Sequence, residues 1–372
     1  MGGSAREAPA ADERIDAAGR AVLPGWVDSH THLVFAGDGS AEFEARMAGE
    51  AYAAGGIGAT VAATRAASDA ELAATLDRIA DEALRGGTTA LETKTGYGLA
   101  VADELRAARV ARGRGRADSF TFLGAHLVPE GADAEGYVDL VAGDMLAAVA
   151  PHVDAGDVFC ERGAFDEAQS RRVLEAARDA GLALRVHGNQ LGPGPGVRLA
   201  VELGALSVDR VAFLDDEEVP LLADSWHGGR GAVATVLPAC DLSTRVPLAP
   251  ARRLLDAGAV VAIATNCNPG TSYTTSMAYC VATAALQMRL TIEEAVRAAT
   301  LGGAVSLDRD APRTDQHGRA LPPLGRIRPG ARADLQVLDA PAAIHLTYRP
   351  GVPLVHAVWC AGALAVPPSA RS

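Results

Sequence analysis

The stretch Leu23-Pro24-Gly25-Trp26-Val27-Asp28-Ser29-His30-Thr31-His32-Leu33 decides how the rest of the chain is read. His30 and His32 close a short apolar run at a spacing of two. Successive side chains on a strand alternate faces, so that spacing points both imidazoles the same way. Two imidazoles side by side at a strand end make half of a site for a divalent metal. The alternative is a pair of solvated loop histidines, and the residues that decide between the two lie downstream.

Outward from this stretch, apolar strand-like runs alternate with longer segments of helical period. The runs are Gly25–Leu33, Thr88–Lys94, Ser119–Val128, Asp157–Glu161, Ala183–Gln190, Val208–Leu214, Gly231–Pro238 and Val260–Asn266. Between them, Asp69–Arg85 and Asp166–Gly181 begin with Asp and end at or beside Gly, as helices do, and Ala249–Gly258 shares the terminal Gly. Eight alternations predict an α/β protein built as a (β/α)8 TIM-like barrel, with a doubly wound open sheet as the competing arrangement. Thr291–Thr300 reads as a further helix. Leu324–Leu338 and Val352–Val366, with turns at Pro329-Gly330 and Pro350-Gly351, read as a β-rich C-terminal segment. The expected organisation is a flexible, partly β-forming segment over residues 1–22, with an edge strand near Glu13–Val22. A barrel follows over residues 23–320, and a C-terminal segment over 321–372 completes a small β-rich domain from the two chain ends.

Bulk properties narrow the function. The 372 residues are 49% hydrophobic and 22% charged, ordinary for a globular enzyme-sized domain. The formal net charge of −12 argues against nucleic acid or an anionic membrane as partner and favours a small-molecule substrate. Five cysteines, odd in number and with no Cys-x-x-Cys pair, point to reduced thiols rather than a disulfide framework or structural zinc. No apolar run reaches the length of a membrane span, and Met1–Arg20 has no signal-peptide core, so a cytoplasmic protein is expected.

In such barrels the chemistry sits at the C-terminal ends of the strands. The runs end in His30 and His32, in Lys94-Thr95-Gly96-Tyr97-Gly98, in His126, in Glu161, in His187-Gly188-Asn189-Gln190, in Arg210, and in Asn266-Cys267-Asn268-Pro269-Gly270-Thr271. Each alone has a bland structural explanation, but their joint placement on one rim makes them a candidate site. His152, His227, His317, His345 and His356 lack that placement and read as structural or solvated.

With these stretches in hand, the chain resembles the amidohydrolase superfamily and, within it, the imidazolonepropionase family. The resemblance is carried by Pro24–Gly37, Lys94–Leu99, Phe122–His126, Val158–Glu161 and Asn268–Ser272, and it extends from about Arg20 to the C-terminus. It implies one divalent ion, zinc or iron, held by His30, His32, His187 and the residue at position 266. It also implies a substrate pocket around Tyr97, His126, Gln190, Asn268, Gly270 and Thr271. The implied reaction is hydrolysis of a cyclic amide, 4-imidazolone-5-propanoate, to N-formimidoyl-L-glutamate in histidine degradation, by an enzyme expected to be a homodimer.

Several positions depart from the family pattern. Asn266 stands where the family has an Asp that binds metal and moves the proton, and a neutral amide can lend an oxygen but cannot act as a base. Arg210 replaces a His that helps hold or polarise the substrate. Gly39 falls where an Arg binds substrate, and neither Asn189 nor Gln190 supplies a carboxylate. With His187, Asn266 and Arg210 as the catalytic candidates, three outcomes stay open: an enzyme working with altered residues, a homologue diverted to another carboxylated substrate, or a catalytically impaired binding protein. A guanidinium at position 210 could recognise a carboxylate, or it could form an ion pair with Asp209 or Asp215.

Overall fold

Apolar and β-branched residues at the eight strand positions pair edge to edge in chain order. In the computed structural model, which describes residues 14–49, 57–226, 229–314 and 318–368, they form one parallel sheet. After an edge strand β1 (Val22–Pro24), the sheet runs through β2 (Trp26–Asp28), β3 (Thr88–Lys94), β4 (Ser119–Ala125), β5 (Ala155–Cys160), β6 (Ala183–Gly188), β7 (Ser207–Arg210), β8 (Val233–Val236) and β9 (Val261–Ile263). Its first and last strands meet at the C-terminal rim. Thr31 bridges Asn266, the Asn266 amide donates to the His30 carbonyl, and Asp28 accepts from the amide and hydroxyl of Thr265. The sheet therefore curls into the expected barrel, not an open sheet.

Several strands are shorter than the apolar runs that predict them, for a backbone reason. Asn189, Arg210, Val211 and Asn266 all have positive φ, between 47° and 92°, so the chain leaves the extended region at those residues. β6 therefore ends at Gly188 and β7 at Arg210, and β9 ends before the sharp turn at Asn266. Four departures of non-glycine residues from ordinary backbone geometry lie on one rim, the pattern found where a site over-determines its own conformation.

The helix predicted over Asp69–Arg85 forms over those residues and opens with a capping box between Ser68 and Glu71. The segment predicted as Asp166–Gly181 is helical over Glu167–Asp179, with Asp166 as its cap, and Ala249–Gly258 shortens to Ala251–Asp256. The two chain ends share a four-stranded antiparallel sheet ordered β1, β12 (Leu335–Leu338), β13 (Val355–Cys360), β14 (Ala363–Val366). A two-stranded ribbon of β10 (Arg313–Thr314) and β11 (Ala320–Leu321) precedes it. The N-terminal strand lies at Val22–Pro24 rather than across Glu13–Val22; Glu13 and the residues before it fall outside the described residues.

Under the barrel floor, the last barrel helix passes through a π turn at Ala298–Gly302 into Gly303–Ser306 and presses directly on the strands. A Cβ on Gly302 would come within 2.3 Å of the Val261 carbonyl oxygen, and one on Gly303 within 2.3 Å of that of Val27. Only the missing side chains let the helix approach so closely. Gly303→Ala should therefore lower the melting temperature, with a loss of about 1–3 kcal/mol typical of overpacking. Thermal unfolding followed by circular dichroism checks this, and an unchanged transition would show that the helix can move away freely.

Candidate metal centre and substrate pocket

Barrel strands point alternate residues inward, and the inward set here is strongly polar. His30, His32 and His187 are buried at the rim, and one nitrogen from each lies within 4.8 Å of the others. His30 Nδ1 donates to Asp209 at 2.6 Å, and His187 Nδ1 donates to Asp157 at 3.1 Å. Each bond fixes a tautomer and leaves the Nε2 lone pair turned toward the centre. His30 Nε2 and His32 Nε2 are 3.3 Å apart, and His187 Nε2 is buried without a hydrogen-bond partner. Burial, reinforced by Lys94 at His30 and by His30 at His32, holds both imidazoles well below their ordinary pKa, so they are neutral. Three imidazole nitrogens facing one point, two of them on rings oriented by carboxylates, fit a divalent metal.

Behind the triad lies a charged layer of which the sequence reading placed only Lys94 among the strand-end residues. The Lys94 ammonium is 2.9 Å from Glu92 and 3.0 Å from Asp157, and all three side chains are fully buried. Burial opposes the charge on Lys94, but Glu92 and Asp157 raise its pKa above the usual value. Burial would likewise raise Asp157, yet His187 and Lys94 hold its carboxyl below the usual range. Arg185, one layer below His187 on β6, donates to the carbonyls of Ser29 and Ser306 and to the Ser207 hydroxyl. The available signal was the period of two: reading back along each strand from a rim residue reaches Arg185 from His187 and Asp157 from Glu161.

The pocket wall is built from the loops after β3 and β9. Glu104, fully buried on the helix Val101–Arg114, accepts from the amides of Gly96, Gly98 and Leu99. This presents Tyr97, whose hydroxyl donates to Asn268 Oδ1 at 2.9 Å. A Cβ on Gly98 would meet that helix at 2.7 Å, which accounts for the glycine there. Asn268 Oδ1 also accepts from the Gly270 amide, and Arg46, buried behind the loop, donates to the Gly270 and Thr271 carbonyls. His126 lies 5.3 Å from Tyr97 and 5.6 Å from His32, ring centre to ring centre, and donates Nδ1–H to the Gly96 carbonyl. Burial lowers its pKa to about 4, leaving it neutral.

The departing positions have definite environments. Asn266 donates Nδ2–H to the Thr271 hydroxyl, and its Oδ1 is buried with no partner. The Arg210 guanidinium meets the Cys240 sulfur. It makes neither of the ion pairs foreseen for it, because Asp209 holds His30 and Asp215 is engaged by Arg198. Arg210 instead acts electrostatically on His30, His126 and Glu161, which places its charge beside the mouth. Gln190 contributes its amide to the Glu161 carboxylate, and burial raises the pKa of Glu161. A side chain at Gly39 would collide with the Pro269 carbonyl at 2.2 Å, so an arginine there would displace the loop that carries Asn268. His152 lies in a 3-10 turn before β5, His345 in a short helix and His356 on β13, all away from the rim; His227 and His317 fall outside the described residues.

The sequence profile of the amidohydrolase family matches residues 21–365. An imidazolonepropionase of Arthrobacter sp. (strain FB24) is 64% identical over 366 residues, spanning 97% of this chain and 90% of its own. One from Saccharopolyspora erythraea is 65% identical over 360 residues, with coverage of 97% and 89%. Among solved structures, a 5-methylcytosine deaminase from Klebsiella pneumoniae superposes with a TM-score of 0.72 at 14% identity, covering 99% of this chain and 92% of that one. An adenosine deaminase from Xanthomonas campestris with bound zinc gives 0.65 at 20% identity, covering 94% and 81%. These two likenesses establish the barrel fold.

If the carboxylates behind the histidines orient them for a metal, Asp209→Asn and Asp157→Asn should each weaken zinc binding by about 10–100-fold. Competition with a chromophoric chelator measures this. Affinities equal to wild type would mean that the carboxylates serve only the interior.

Proposed function

The chain belongs to the amidohydrolase family, and from that premise we propose that it is a metal-dependent imidazolonepropionase. It would open 4-imidazolone-5-propanoate to N-formimidoyl-L-glutamate in the cytoplasm, as a homodimer. The observation that carries the reading is the convergence of His30, His32 and His187 on one point beside the Tyr97–His126–Asn268 wall. The ion is zinc or iron, with Asn266 Oδ1 as a weak fourth ligand, since imidazole nitrogens suit either metal. A metal in this position supplies Lewis-acid polarisation and lowers the pKa of water toward about 7.

The protein's own residues do the rest. Tyr97, His126, Asn268, Gly270 and Thr271 frame the ring, with Gln190 beside Glu161 at the rim. Arg210 brings positive charge to the rim, suited to the substrate's propionate. Water adds to the ring carbonyl carbon, the ring C–N bond breaks, and the departing nitrogen takes a proton, leaving a carboxylate and a formimidoyl amine. Asn266 cannot carry that proton. His126, neutral with Nδ1–H committed to Gly96, keeps a lone pair on Nε2, and Glu161 is a rim carboxylate that feels the charge of Arg210. These two are the proton-handling groups that the mouth retains.

Arg210 also supports a second reading, a hydrolase of the same type diverted to another carboxylated substrate. A positioned general base contributes about 10²–10⁴-fold, so wild type should turn over imidazolone propionate slowly. Asn266→Asp combined with Arg210→His should recover much of that factor and bind metal more tightly. Turnover monitored by loss of imidazolone absorbance decides. No hydrolysis by either protein, with metal bound to both, would leave the diverted hydrolase as the reading.

A further inference from the structure

At the end of the barrel opposite the mouth, a cleft of about 1480 Å³ opens beneath the N-terminal ends of β4, β5 and β6, between the barrel floor and the β10–β11 ribbon. Its charge contradicts that of the molecule. The chain carries −12, yet the residues lining this cleft include eight arginines and three aspartates, with no lysine or glutamate. The aspartates are already engaged: Asp118 by Arg332, Asp154 by Arg112, and Asp308 by Arg313 and Arg230.

Arg309 stands apart from these pairs. It is only 7% exposed and lines the cleft, and its guanidinium makes no hydrogen bond or ion pair with any described residue; its Nε is fully buried and unbonded. Burial holds it below the usual arginine pKa; Asp118 and Asp154 oppose that shift, while Arg332 and Arg313 add to it. A buried cation whose neighbouring carboxylates, Asp118 and Asp154, are committed to Arg332 and Arg112 is costly unless something negative completes its surroundings. The histidine triad and its pocket lie at the other end of the barrel.

We propose that this cleft is a binding site for a small molecule carrying more than one phosphate group, with Arg309 as its buried anchor. The planar guanidinium forks suit tetrahedral oxyanions. Arg178, Arg230, Arg309 and Arg313 approach from different elements, so the charge is spread over a wall rather than gathered at one point. The cavity is far larger than a single inorganic ion needs, and a concave wall with eight arginines against three aspartates concentrates such a ligand even on an acidic protein. The site is separate from the metal centre, so its occupant is a stabiliser or effector and not a substrate.

Calorimetric titration of the full-length holoprotein with fructose 1,6-bisphosphate, orthophosphate and citrate tests the assignment. Saturable binding is expected for the bisphosphate, weaker for orthophosphate and citrate. Arg309→Gln should weaken bisphosphate binding by about tenfold, the loss expected for a charged hydrogen bond. It leaves the histidine triad untouched, so the loss could not arise at the mouth. Arg172→Gln, whose surface guanidinium pairs with Glu135 and Asp139 elsewhere, should bind as wild type does. If Arg309→Gln does not fold, Arg313→Gln, half exposed on the ribbon, must show a loss instead. Absence of saturable binding by wild type, unchanged affinity in the folded cleft variant, or citrate binding as tightly as the bisphosphate would each overturn the proposal.

Discussion

The buried pairing of Lys94 with Glu92 and Asp157, extended through Asp157 to His187, is the interaction on which the rest of this structure depends. Charges sealed inside a barrel are tolerable only when they neutralise one another and their remaining hydrogen-bonding capacity is used. Here Glu92 also accepts from the Thr31 amide and the Thr121 hydroxyl, so one carboxylate fastens the loop after β2 to β3 and β4. Removing a single partner from such a cluster typically costs about 3–5 kcal/mol, because the charge left behind has no water to turn to.

The same cluster sets the chemistry of the rim. Asp157 and Asp209 impose a tautomer on His187 and His30, and the tautomer, not the histidine alone, makes each ring a ligand. A barrel interior stiffened by ion pairs also holds the positive-φ residues Asn189, Arg210 and Asn266 in place, since the strands below them cannot relax. Asn266 thus sits on a rim whose supporting framework is intact. It supplies a neutral amide, neither a charge nor a base, beside the assembled histidine geometry.

The two ends of the barrel divide the electrostatic labour. The mouth is made of neutral imidazoles, a phenol and amides, with Arg210 as the cation beside them. The floor concentrates arginines in a chain that is acidic overall. Arg185 spans the layer between, tied to the carbonyl of Ser29 just after β2 and to that of Ser306 on the last barrel helix.

The sequence by itself determined the barrel and the residues at its mouth. A spacing of two in His30-Thr31-His32 is a statement about side-chain direction, eight apolar runs at helical separation leave few topologies, and Asp69–Arg85 carries its own caps. The loop stretches around Tyr97 and Asn268 were legible as strand ends and as carriers of the family resemblance, and their glycines stand where backbones approach closely or turn sharply. Only the tertiary structure decided who stands behind these residues. Asp157, Asp209, Glu104 and Arg46 read as ordinary charged positions in the chain, because nothing local distinguishes a carboxylate that will orient a histidine from one that will face water. It also decided the fate of Arg210, which turned from both neighbouring aspartates toward Cys240, and of Arg309, left without a partner at the barrel floor. Sequence patterns record which face a residue occupies; pairing between charges far apart in the chain is settled by which faces the closed barrel brings together.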